Sequence, residues 1–290
     1  MSTSLLSRCN FPPCGTPVVC AFSGGPDSTA LVALAAAAGC DVEAVHIDHG
    51  LRPDSAADAD IARSTAAKLG VPFRSVAVEL HDGPNLEARA RDIRRSVLGP
   101  EAMTGHTAED QAETMLLALL RGSGATGLAA MQPGPGKPIL ALRRYETLDL
   151  CTELGLSVVH DPSNSDPRFR RNRVRHELIE LMNDIAERDV TPLLTRAGDL
   201  LRDDDELLDA LSADLDVTDA KALTVAPVPL ARRAIRRWLT LDDHPPSAAT
   251  VDRVLDVAAG TSVACEPGGH RRIERSGQRL RLFSTGPTDR

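Results

Sequence analysis

Apolar and polar positions change period repeatedly along the first half of this chain. The unbroken apolar run Val18-Val19-Cys20-Ala21-Phe22 predicts a buried strand, and Thr29-Ala30-Leu31-Val32-Ala33-Leu34 predicts a helix soon after it. A second strand is expected over 42–47. A helix is expected over 56–69, stopped by Gly70 with Pro72 beyond it, and a third strand over 73–78. A helix over 86–98, a short fourth strand over 102–106 and a helix over 109–120 complete the series. Strands alternating with helices at this spacing predict an α/β fold with a doubly wound parallel sheet. Ligands of such sheets bind beyond the carboxyl ends of the strands. Past Asp189 the alternation stops, and leucine-rich helical patterns occupy 193–215, 230–239 and 248–259. Arg279-Leu280-Arg281-Leu282-Phe283 alternates as an edge strand would. The expected domains are therefore 1–188, carrying the sheet, and 189–290, smaller and mostly α-helical.

Composition narrows the class. A chain of 290 residues with 42% hydrophobic and 26% charged residues reads as globular, with more than one core. Aromatics make up only 2%, so the core has to be built from Ala, Val, Leu and Ile. No apolar stretch approaches spanning length and residues 1–11 are too weak for a signal peptide, so a cytoplasmic protein without membrane contact is expected. The six cysteines form no CxxC pair, which argues against a zinc knuckle or an iron–sulfur cradle. A net charge of −8 argues against indiscriminate polyanion binding. Positive charge is nearly all arginine, clustered at 168–175, 232–237 and 271–281, and the guanidinium fork suits phosphate.

The sharpest chemistry lies between the first strand and the first helix. Ser23-Gly24-Gly25-Pro26-Asp27-Ser28-Thr29 is a small-residue turn opening a helix. Free N–H groups at a helix start, with hydroxyls beside them, make an anion site suited to phosphate. An ordinary capped βα turn uses the same residue types, and no Gly-Lys-Ser/Thr follows to make a Walker loop. Asp48 ends the second strand, where it either caps a turn or faces a nucleoside. His46, Asp48 and His49 do not share one face, which argues against zinc. His106, Asp110 and Glu113 follow the fourth strand, with both acids on one helical side. They either stabilise the helix dipole or hold Mg²⁺ or a cationic amine. Arg121 closes the same helix, as a cap or facing an anion.

The order SGGPDS, HIDHGLR, GHTAEDQAETMLLALLRGSG, then HDPSN with RRNRVRHEL, resembles the tRNA(Ile)-lysidine synthetase family, N-type ATP pyrophosphatases with a PP-loop, over about 18–178. The resemblance implies a Rossmann-like PP-loop ATPase domain, with the C-terminal part contacting tRNA. It implies ATP and Mg²⁺ as cofactors, and as partners free L-lysine and the isoleucine tRNA with a CAU anticodon. The C2 oxygen of the wobble cytidine is adenylated, and the lysine ε-amine then displaces AMP. It assigns the nucleotide to Ser23, Gly24, Gly25, Pro26, Asp27, Ser28, Thr29, Asp48 and His106, with Asp27 on Mg²⁺. It assigns catalysis to Asp27, Asp110, Glu113 and Arg121. Asn164, Arg171, Asn172 and Arg175 would order the site and contact tRNA. A homodimer is held open. Against the family pattern, the further C-terminal domain of longer members is expected to be missing, and the 94–101 connection is short. A thiolase would require paired cysteines, a GMP- or NAD-type synthetase would leave HIDHGLR and DPSN unexplained, and a bare nucleotide-binding module would not require Asp110, Glu113 and Arg121 together.

Overall fold

The computed structural model describes residues 3–48, 55–78, 93, 96–159, 161–240 and 245–284. The expected helix over 86–98 lies largely outside them, as do residues 49–52 and His160. The chain forms two compact units, Met1–Asp199 and Leu200–Arg290.

In the first unit, strands β1 (Pro17–Ala21), β2 (Asp41–Asp48) and β3 (Phe73–Ala77) lie parallel in the order β1-β2-β3. Val18 stands opposite Val42, and Val45 opposite Arg74. The expected fourth strand is reduced to one parallel bridge, Met103 to Cys20, on the open side of β1. Met103 donates its N–H to Val19 O and accepts from Ala21 N, each at 2.8 Å. One residue later the ladder ends, because the Thr104 N–H turns away to Gly136 O at 3.0 Å. The spatial order is thus β3-β2-β1 followed by the 103 segment, and the crevice where that order reverses lies beyond β1.

Helix α1 (Pro26–Ala37) follows β1, and its residues from Ser28 to Ala35 are all buried. It is apolar on every side because it runs through the core rather than along its surface. Helix α2 (Ser55–Leu69) buries Ala59, Ala62 and Ala66. Helix α3 (Ala108–Leu120) and helix α4 (Arg144–Glu153) follow the bridge segment. The core joins Phe22, Leu31, Leu34, Val42, Ile139, Leu142 and Leu150 to a bed of alanines, as the low aromatic content requires.

Further on come helices α5 (Ile179–Ala186) and α6 (Thr191–Ala213). The second unit holds α7 (Val228–Leu239) and α8 (Ala248–Ala259), packed around Ile235, Val251, Val254 and Leu239. It also holds an antiparallel sheet, β4 (Ala264–Cys265), β5 (Arg271–Ser276) and β6 (Arg279–Ser284). The expected edge strand is β6, but its partner β5 was not anticipated. Only Ile273 of β5 is fully buried, so its sequence carries too few apolar residues to show a period of two. The hairpin turns at Gly277, whose φ of +61° suits a tight two-residue connection. Among the described residues, no helix is long and apolar enough to cross a membrane.

The arginine clusters of this unit are largely used inside it. Arg237 donates to Ser212 O (2.8 Å), Arg271 to Leu239 O (3.1 Å) and Arg275 to Ala258 O (2.6 Å). Each carbonyl lies at the C-terminal end of a helix, α6, α7 and α8 respectively, where carbonyls lack intrahelical partners and the dipole is negative. Arg232 pairs with Asp252, Arg233 with Asp205 and Asp209, and Arg279 with Asp216.

Candidate active site

The turn after β1 is shaped by its glycines and hydroxyls. Gly24 has a φ of +83°, and a Cβ there would sit 2.8 Å from the Val159 side chain, so only glycine fits. Val159 N–H in turn donates to Gly24 O at 2.8 Å, tying the segment before Asp161 to the turn. Gly25 caps α1 and Pro26 opens it. Thr29 is the first residue of the helix whose N–H finds a carbonyl, Gly25 O at 2.9 Å. The N–H groups ahead of it therefore face out of the helix start, with the positive end of the dipole behind them. Ser23 Oγ and Ser28 Oγ lie 3.0 Å apart on the same side. Gly105, on the bridge segment, touches this turn: a Cβ there would lie 2.8 Å from Asp27 O. That contact fixes the spacing between the two sides of the crevice.

Across the crevice stands a cluster of three carboxylates and three guanidiniums. Asp27, in the first turn of α1, accepts from Thr147 Oγ1 at 2.5 Å and from Arg144 Nε at 3.1 Å. Asp110 caps α3 through Thr107 N at 2.9 Å, and its other oxygen accepts from Arg144 (3.2 Å) and Arg171 (3.1 Å). Glu113 accepts from Arg171 Nε and Arg175 Nε, both at 2.6 Å, with Arg144 Nη1 3.5 Å away. Formal charge balances, three against three.

The surroundings treat the acids differently. Burial pushes the Asp27 carboxyl above its ordinary value, with Arg144 and Thr147 opposing it. Burial pushes Asp110 the same way, but Arg144, Arg171 and His106 together hold it below the ordinary carboxylate range. Glu113 is wholly enclosed, while the Asp110 side chain retains 11% exposure.

The remaining expected residues distribute unevenly. Asp48 ends β2 half-buried, with Val78 N–H on its carbonyl at 2.8 Å. His106 lies beside the crevice, its Nδ1 2.8 Å from Thr104 Oγ1. Arg171 and Arg175 enter the acid cluster directly. Asn172 is buried and donates to Asp166 O at 2.9 Å, which shapes the turn carrying them. Asn164 sits exposed in the 3₁₀ turn Pro162–Ser165, its carbonyl accepting from His176. Arg121 is not brought to the cluster. It caps α3 at the end opposite Asp110, ~16 Å along the helix, and is exposed.

Arg144 and Thr147 were missed by sequence reasoning. They open α4, and their partners lie 117 and 120 residues away. The available signal was the pair Arg143-Arg144 followed by Glu146, a helix start with charge in its first turn.

Residues 9–182 match the PP-loop domain family. A tRNA(Ile)-lysidine synthase of Nocardia farcinica is 42% identical over 85% of this chain and 81% of its own length. Another, from Mycolicibacterium paratuberculosis, is 44% identical over 76% of this chain and 73% of its own. Among solved structures, a U34-tRNA thiolase of Methanococcus maripaludis shares the fold, with a TM-score of 0.53 and 17% identity over 69% of this chain and 74% of that one. Membership of the PP-loop family makes the chain a user of ATP. The chain belongs to the tRNA(Ile)-lysidine synthase family, ATP-dependent ligases that modify tRNA.

Proposed function

We propose that the chain joins L-lysine to C2 of the wobble cytidine in the isoleucine tRNA with a CAU anticodon. The observation that carries this reading is the adjacency of two sites: a phosphate-receiving turn and a charge-balanced acid–arginine cluster, meeting at Asp27. A balanced cluster suits a zwitterion. Arg171 and Arg175 would meet the α-carboxylate of a free amino acid, and Asp110 its α-ammonium. The reacting ε-amine has to be neutral, and an amine placed away from the carboxylates loses its proton more readily.

Two bond exchanges follow. The C2 oxygen of cytidine attacks the α-phosphorus of ATP, the bond to the β-phosphate oxygen breaks, and pyrophosphate leaves. The lysine ε-nitrogen then attacks C2, the C2–O bond breaks and AMP leaves; the nitrogen gives up a proton as it attacks. Ser23, Gly24, Gly25, Ser28 and Thr29 hold the pyrophosphate portion, and Asp48 and His106 border the nucleoside. Asp110, the more open acid, meets the amino acid, while Glu113 sets the guanidiniums. Asp27 fits Mg²⁺: among the described residues each of its oxygens accepts one hydrogen bond and keeps a lone pair, and Mg²⁺ favours one carboxylate with phosphates. Bound there, the ion would neutralise phosphate charge.

The test is incubation of the protein with CAU-anticodon tRNA, ATP, Mg²⁺ and labelled lysine. Label should enter the tRNA only when ATP is present. Absence of label with folded protein and intact tRNA rejects the reading.

A further inference from the structure

We infer that Arg144 is a positioning residue that joins the phosphate loop to the acid helix, so that both half-reactions depend on this one guanidinium. Among the described residues it is the side chain that meets all three carboxylates. Nε reaches Asp27 at 3.1 Å, Nη2 reaches Asp110 at 3.2 Å and Nη1 reaches Glu113 at 3.5 Å. Those acids sit on two separate elements, Asp27 on α1 and the others on α3. The planar fork is matched to this task, because each nitrogen points at a different partner along a fixed direction.

The backbone that carries the fork is held just as firmly. Arg144 N–H donates to Glu109 Oε2 at 2.9 Å, and Glu109 Oε1 accepts from Arg143 Nε at 2.7 Å. Glu146 closes the first turn of α4 on Arg143 N at 2.8 Å and is itself held by Arg8 at 2.5 Å. Thr147, one turn further, grips the second oxygen of Asp27. These bonds hold the backbone from which the guanidinium extends. Without Arg144, Asp27 and Asp110 face each other as like charges.

This inference rests on the proposed ligase reading but can fail separately from it. The wild-type protein is assayed first for tRNA-dependent ATP–pyrophosphate exchange and for lysine incorporation, and a wild type inactive in both rejects the ligase reading itself. With an active wild type, Arg144→Lys and Arg144→Ala are compared. Lysine keeps the charge but presents a single point donor. Arg144→Lys should melt within a few degrees of wild type, yet lose at least about 10-fold in exchange and raise the lysine KM at least about 10-fold, since small misplacements near reacting groups are costly. Arg144→Ala should lose more in both, and guanidinium ion added to the buffer should restore part of each. Arg144→Lys within about twofold of wild type in both steps overturns the inference. So does an Arg144→Ala variant that loses kcat with unchanged lysine KM and no guanidinium rescue, the pattern of a role in folding alone.

Discussion

Arg144, Arg171 and Arg175 converge on three carboxylates beside the phosphate loop, whereas Arg237, Arg271 and Arg275 of the second unit are directed at main-chain carbonyls. Both sets are clustered and both use the same fork. The first neutralises a cluster of acids of which Asp110 and Glu113 are buried. The second closes the C-terminal ends of three helices. Clustering of arginine in a sequence is therefore no measure of nucleic-acid contact, because helix ends and buried carboxylates draw on the same residue.

Substitutions in the two regions should separate these roles. Asp27→Ala removes the carboxylate at the start of α1 and should lower tRNA-dependent ATP–pyrophosphate exchange by at least about 10²-fold with the fold retained, comparable to losing a preorganised charge contact in an active site. Full exchange in that variant would show that the loop does not serve ATP. Glu113→Gln leaves three guanidiniums around a neutral amide, and breaking a buried ion pair from one side costs roughly 3 kcal/mol. A drop of several degrees in melting temperature together with weaker lysine use is expected. Unchanged melting would mean the guanidiniums find other partners.

Arg275→Met, in the second unit, should lower the stability of that unit by about 1 kcal/mol through the lost bond to Ala258 O. Exchange and lysine incorporation should be unaffected; a loss of tRNA affinity instead would return this arginine to the nucleic acid. Asp216→Asn is the mildest change. Thr218 and Arg279 bring the Asp216 carboxyl down to about 2 from an ordinary 3.8. A depressed folded pKa adds stability above the unfolded value and loses it as pH falls from about 4 toward 2. Wild type should thus show a slightly steeper loss of stability in that window than Asp216→Asn, measured by acid unfolding.

Much of the first region was legible in the sequence. Residues 23–29 fix a strand–turn–helix through local chemistry, and the helical period sets Asp110 and Glu113 on one side. Their partners were not legible. Arg171 and Arg175 were expected to order the site and contact tRNA, but that they close on Glu113, 58 and 62 residues away, is a pairing that spacing does not encode. Arg121 adjoins the acids in the sequence but is carried to the other end of α3. Arg144 belongs to no local pattern. In the second unit the helices showed their period, while β5 did not, because one buried Ile273 among arginines makes no alternation. Local periods announce faces; the pairing of charges across the fold emerges only when the elements pack.

The most direct test of the account is nucleoside mass analysis of CAU-anticodon tRNA after incubation with the protein, ATP, Mg²⁺ and lysine, alongside Asp27→Ala. The wild-type protein should give a wobble cytidine heavier by lysine less one water, and the variant unmodified cytidine. An unmodified wobble position in both, or the same product from both, would contradict it.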